Sequence, residues 1–288
     1  MTAILALYDL PDPAVYAIFM AGAAGMAALA CMASARLLRL EAARDQLDVA
    51  LRTTAAVVSA LTLTLAFCAI QARTQTSDAS RLVAMEVAAI GGLARLADRL
   101  GEPGLRLQAD LTTYLQSVLH AEFPGMADHG RDPATQRALE ALEHAAYAAA
   151  AGARDSLAQD LIQQADGVDQ AREDRLQAAG GGLPEAFWLL ILLLMTLLVA
   201  TGPLYPPRRH VLAMLAIQAA GVGALIAFVF LMDQPFRGHL SVSPAPYHAL
   251  QRSLAHRAEI AAAARRGILA AALAREDVTG LVQDAAAP

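Results

Sequence analysis

AFWLLILLLMTLLVAT (residues 186–201), GPLYPPRRH (202–210) and VLAMLAIQAAGVGALIAFVFLM (211–232) form the stretch that decides the fold. Neither apolar run carries a charge in its interior, and crossing about 30 Å of hydrocarbon takes roughly 20 helical residues. Inside lipid each backbone N–H and C=O must be satisfied within the segment, which leaves the α-helix as the form such a run takes. Pro203, Pro206 and Pro207 cannot continue a helix, so 202–210 is a tight turn and the two runs form an antiparallel hairpin. Two earlier runs, Ala14–Ala35 and Thr54–Ala72, have the same character, which gives four membrane helices in all. Ala33-Ser34-Ala35 resembles a cleavage site, yet Asp9 and Asp12 stand where a signal peptide is basic and the apolar run is too long for one.

Composition agrees with a lipid-solvated chain. Of 288 residues 57% are hydrophobic and 17% charged, against about 45–50% and about 25% in soluble domains. Mean hydropathy is +0.42. That balance argues against an ordinary cytosolic enzyme. Aromatic residues reach only 5%, so the apolar excess lies in small side chains, as closely packed membrane helices use. All 22 cationic residues are Arg; the chain has neither Lys nor Asn, hence no lysine Schiff base, no P-loop lysine and no N-glycosylation acceptor. A net charge of −5 gives no basic footprint for nucleic acid. Cys31 and Cys68 lie inside apolar runs and act as small apolar residues, so a disulfide framework and a cysteine zinc site are excluded.

Residues 73–183, between the second and third spans, read as a hydrated, acidic bundle of about four helices. They hold ten Arg, ten Asp and six Glu. Leu82, Met85, Ala89, Leu93 and Leu96 recur at helical spacing, as do Leu111, Tyr114, Leu115, Val118 and Leu119. Asp132-Pro133 is an N-cap followed by proline in the first turn. Gly125 and Gly130 bracket an expected loop after Phe123-Pro124, and Gly180-Gly181-Gly182-Leu183-Pro184 breaks the chain before the third span. An amphipathic helix is expected over Ala245–Arg275, with a disordered tail after Gly280. The division is thus 1–72 (helix pair), 73–183 (bundle), 184–238 (hairpin and interfacial turn) and 239–288 (terminal helix and tail). Arg36, Arg39, Arg44, Arg52, Arg208 and Arg209 on one side of the membrane balance Arg73, Arg81, Arg172, Arg175, Arg237 and Arg252 on the other, so the arginine bias sets no orientation.

On the second span Arg52, Ala55, Ser59, Thr62, Ala66, Ala69 and Arg73 follow a 3-4-3-4-3-4 spacing, one stripe small or hydroxylated within the membrane and cationic at both ends. Such a stripe serves close helix packing or lines a pore, where symmetry turns each arginine into an anion-favouring ring. No Asp, Glu, His or Lys lies deep in a span, which argues against a pump. Gln218 is the only large polar side chain there. Ala216, Ala220 and Ala224, with Gly221 and Gly223, indicate tight packing of the fourth span. Neither His120 with Glu122 nor His248 with His256 has zincin spacing, and no nucleophile, base and oxyanion set can be assembled. No metal, cofactor or enzymatic activity is expected.

The order of spans and insert, followed by Asp233-x-Pro235-Phe236-x-Gly238 and Val242-Ser243-Pro244, resembles the bestrophin-like domain family of bacterial membrane proteins. Tyr114, Glu122-Phe123-Pro124-x-Met126, Arg172-x-x-Arg175-Leu176 and Leu183-Pro184-x-x-Phe187-Trp188 extend the resemblance from about Thr54 to Leu250. It implies an all-α, multi-pass inner-membrane protein and a homo-oligomer, a pentamer as in true bestrophins. Those are anion channels lined by their second membrane helix, so it further implies a pore along Arg52 to Arg73 that passes chloride or other small anions. A different class of function, a membrane-anchored sensory or interaction module built on the acidic bundle, is the second expectation. Arg237-Gly238-His239-Leu240 stands where animal bestrophins carry the acidic calcium clasp.

Overall fold

The computed structural model describes residues 6–37, 44–206 and 208–284, so Arg39, Pro207 and the last residues of the tail lie outside the described residues. Every regular element among them is helical. In chain order the α-helices are α1 (Asp12–Leu37), α2 (Arg44–Arg99), α3 (Glu102–Ser117), α4 (Phe123–His129), α5 (Pro133–Ala151), α6 (Asp155–Ala179), α7 (Glu185–Thr201), α8 (Arg209–Asp233) and α9 (Ala245–Asp284). Among the described residues four helices are long and apolar enough to cross a membrane, within Asp12–Ala33, Asp48–Arg99, Glu185–Leu204 and Arg209–Asp233. The chain is an all-α membrane protein with four such helices and a helical insert between the second and third.

Contacts divide the chain into two compact units. The first comprises Met1–Leu82, Met126–Gly130 and Glu173–Ser243 and holds the candidate spans. Its core joins Leu61, Leu65 and Cys68 of α2 to Ile191 and Leu198 of α7 and to Val222, Ile226 and Val229 of α8. At Gly223 of α8 a Cβ atom would stand 2.6 Å from the Phe19 carbonyl oxygen, so only glycine lets α1 come this near. The packed row on α8 is Ala219, Gly223 and Ala227, all buried. It lies beside the expected one: Ala216, Ala220 and Ala224 are half-buried and Gly221 is exposed. Both rows have four-residue spacing, and what selects between them is the bulk of Val222, Ile226 and Val229 on the core side.

The second unit comprises Val83–Gly125, Arg131–Arg172 and Pro244–Pro288. Leu111, Tyr114, Leu115, Val118 and Leu119 are all buried there, as their spacing requires. Three expectations are corrected. The buried line of α2 in this unit is Val83, Glu86, Ile90, Leu93 and Ala97, whereas Met85 is 48% exposed and Leu82, Ala89 and Leu96 only half-buried. An acid at position 86 disguised that line. No loop follows Phe123-Pro124: a π-helical turn, Val118–Glu122, leads directly into α4, which contains Gly125 and ends at His129, just before Gly130. Widening the ladder immediately before Pro124 accommodates a ring that would meet the carbonyl four residues earlier, and proline then sits in the first turn of α4. Finally, α9 runs nine residues past Arg275, to Asp284, since no proline interrupts it.

Candidate functional site

All seven residues of the α2 stripe remain accessible. Arg52, Ala55, Ser59, Thr62, Ala66 and Arg73 are exposed and Ala69 is half-buried. A different face of the helix does the packing: Leu61, Leu65, Cys68 and Ala72 are buried, and buried Thr54 accepts a hydrogen bond from the Tyr205 hydroxyl at 2.9 Å. Beside the stripe, Leu63, Phe67 and Ile70 are 74%, 55% and 66% exposed, as suits a surface facing lipid or another helix. Arg52 lies 3.5 Å from Asp48, with both side chains solvent-facing, a pair that holds the guanidinium only weakly.

The motif after the fourth span locks helix ends together. Asp233 Oδ1 accepts the Leu183 backbone N–H at 2.6 Å, and the carboxylate is also hydrogen-bonded by the side chains of Gln234 and Trp188. Gln75 of α2 donates to the adjacent Gly182 carbonyl at 3.3 Å. One acid thereby ties the end of α8 to the start of α7, next to the point where α2 grips the same glycine run. Pro235, which lacks an N–H and bars its predecessor from helical geometry, leaves Gln234 extended at φ −108, ψ 105, so α8 stops at Asp233. Pro235 is buried and its carbonyl accepts the Val242 N–H at 2.8 Å. Gly238 has φ 72 and packs against Tyr8. Tyr8 stacks on Phe230 at 4.3 Å and donates its hydroxyl to the Phe230 carbonyl at 2.9 Å. Burial, seconded by Asp233, pushes the Tyr8 phenol far above its ordinary range, so it stays a donor. Phe236 is half-buried, Ser243 exposed, and Pro244 caps α9, its carbonyl accepting the Tyr247 N–H at 3.0 Å. In the same unit Arg237 donates to the Ala127 carbonyl at 2.5 Å and pairs with Asp128, while buried Arg175 reaches the Met126 sulfur at 2.9 Å.

In the second unit charged side chains are buried among the hydrocarbon. Glu86 accepts from the Tyr114 hydroxyl at 2.8 Å and from the Tyr247 hydroxyl at 2.7 Å, and Phe123 lies edge-on to Tyr247 at 5.8 Å. Arg172 forks onto Glu122, Nε donating at 3.1 Å and Nη2 at 2.5 Å, while its Nη1 donates to Gln136 at 2.7 Å. Sequence reasoning singled out Tyr114, Glu122 and Arg172 but missed Glu86; its signal was an acid in register with Val83 and Ile90. His120 is exposed and Glu122 buried on Arg172, so the two share no face.

The motif residues therefore hold helices, and the stripe is a face left open. A family model of the bestrophin-like domain matches residues 8–247. Among solved structures, a mutant bacterial bestrophin homologue from Klebsiella pneumoniae superimposes with a TM-score of 0.62 at 14% identity, covering 83% of this chain and 98% of that one. A structure of the homologue from that organism phased on zinc gives 0.60 at 14% identity, covering 82% and 96%. A mutant described as a membrane protein gives 0.61 at 14% identity, covering 83% and 97%. At such identity the likeness is one of fold. No curated protein matches the chain. The family match takes in all four spans, the helical insert and the Asp233–Gly238 turn, and on that ground the chain belongs to the bestrophin-like domain family.

Proposed function

We propose that the chain assembles with copies of itself, five by the bestrophin resemblance, into an anion-conducting channel of the bacterial inner membrane lined by α2. The observation that carries this reading is the openness of Arg52, Ala55, Ser59, Thr62, Ala66 and Arg73 while another face of the same helix packs inside the chain. Arg52 and Arg73 are 21 residues apart (73 minus 52). At about 1.5 Å per residue that is roughly 32 Å, the thickness of the hydrocarbon. In a closed ring of copies the two arginines become cationic rings at either mouth, and the small residues between them form the conduit. One four-helix unit cannot enclose such a conduit by itself, so the reading requires an oligomer. Asp233, Pro235 and Gly238 then act as a lock that fixes α7 and α8 behind the pore helix.

The test is flux through liposomes carrying the purified protein. Chloride is expected to pass. Arg52→Ala and Arg73→Ala should move the reversal potential away from the chloride value. No flux above empty vesicles, or a monomer in mild detergent, removes the reading.

A further inference from the structure

We propose that the groove where α7 turns into α8 holds the headgroup and upper acyl chain of an anionic phospholipid. A cavity of about 360 Å³ is lined there by Leu51, Arg208, His210, Val211, Met214 and Gln218. Its polarity is graded along α8. Arg208, Arg209 and His210 are exposed at the mouth, and none of them pairs with an acid among the described residues. Deeper along the helix Met214 and Ile217 are 71% and 72% exposed, an apolar surface open to lipid chains. Behind the groove Tyr205 is held rigid by its hydrogen bond to Thr54 at 2.9 Å.

Gln218 is the second, independent observation. It stands nine residues past Arg209 (218 minus 209), about 13 Å along the helix. The residue is exposed and its amide makes no hydrogen bond to another described residue. An amide without partners at hydrocarbon depth is costly, so something must supply it a polar atom. Side chains on a helix lean toward its N terminus, which brings this amide about one turn nearer the cationic mouth. A phosphodiester at the mouth would accept from Arg208 and His210, a glycerol ester carbonyl below it would accept from Gln218, and an acyl chain would cover Leu51, Val211 and Met214. A free phosphate satisfies only the first of these. A zwitterionic lipid brings an ammonium into a cluster that already lacks counter-charge, so the chemistry selects an anionic headgroup. The site depends on α8 crossing the membrane and not on conduction.

Native mass spectrometry of the full chain, with phosphatidylglycerol or phosphatidylcholine added in detergent, tests this. Phosphatidylglycerol should remain bound to each protomer and phosphatidylcholine should not. Arg208→Gln should lower its retention about fivefold. Gln218→Leu should also lower retention, with no fall in the unfolding midpoint measured in lipid-free detergent. Met214→Trp, which fills the groove from an exposed position, provides the same reading if either of the others fails to fold. Equal retention of the two lipids, displacement of the lipid by excess inorganic phosphate, or retention unchanged in all three variants would overturn the proposal.

Discussion

The two halves of α2 obey opposite rules. In the first unit the helix exposes Leu63, Phe67 and Ile70 and buries Thr54 and Cys68; in the second it exposes Arg95 and Arg99 and buries Glu86. Exposed hydrocarbon is stable where lipid is the solvent, because between helices in a membrane no hydrophobic driving force exists and close fit replaces it. Where water is the solvent, burial is driven by apolar area, and an acid can join the core only with its hydrogen bonds complete. One unbroken helix with two kinds of face thus marks which solvent each half meets.

Buried charge should produce the largest effects. Arg172→Ala removes the guanidinium that forks onto buried Glu122, and loss of one partner of a buried pair costs about 3–5 kcal/mol. Thermal unfolding in detergent should show it, and the double variant Glu122→Gln with Arg172→Met should cost less than the two single changes summed. A loss no greater than that of an exposed arginine such as Arg95→Ala would erase the contrast between the halves. Next comes Glu86→Leu, which leaves two tyrosine hydroxyls without this acceptor at about 1–3 kcal/mol for each buried group stranded. Tyr247→Phe, which keeps the carboxylate and the ring, should cost about 1 kcal/mol.

How legible this was follows from the same contrast. The four spans were readable because a membrane demands roughly 20 uncharged residues and tolerates few alternatives. The stop at Asp233 was readable because Pro235 has one steric consequence. The core line of the second half of α2 was not, since Leu82 and Met85 form as regular an apolar pattern as Val83 and Ile90 once Glu86 is taken for a surface acid. Only the hydroxyls of Tyr114 and Tyr247, distant in sequence, reveal why an acid belongs there. For the stripe, spacing could place Arg52 through Arg73 on one face but could not say whether that face was used up inside the chain. Asp233 was read as part of a motif, and its hydrogen bond to Leu183, fifty positions away, could not be seen from spacing.

Three smaller perturbations, two in the first unit and one in the second, sharpen the picture. Gly223→Ala places a methyl 2.6 Å from the Phe19 carbonyl oxygen and should cost about 1–3 kcal/mol by overpacking. Gly221→Ala, two residues away with nothing within 4 Å, should be neutral or stabilising by a few tenths of a kcal/mol. In the second unit Asp132 accepts the Thr135 N–H at 2.8 Å at the start of α5, and Asp132→Ala should cost about 1 kcal/mol. Chiefly that bond holds the Asp132 carboxyl below its usual 3.8. A carboxyl lowered in the folded state stabilises fully above its unfolded value, so this contribution is present at neutral pH and is lost as pH falls through the lower folded-state value. The wild type should therefore lose its advantage over Asp132→Ala in acid and keep it in base.

The smallest expected effect on folding falls on the stripe, where the open face of α2 can be set against its packed face. Ala66→Leu adds hydrocarbon to an exposed position that the chain's own core never touches, so the folded subunit should change by no more than about 0.5 kcal/mol. Leu61→Ala, on the packed face of the same helix, should cost about 2–5 kcal/mol. If the open face meets only lipid, a larger apolar side chain at position 66 is harmless there as well, and liposome flux and oligomer mass should both stay at wild-type values. If it lines a conduit among copies, the added bulk narrows the bore and chloride flux should fall sharply while the unfolding midpoint of the subunit holds. Loss of flux together with loss of the oligomer would instead identify position 66 as a helix–helix contact between copies, since a packed small residue admits no leucine.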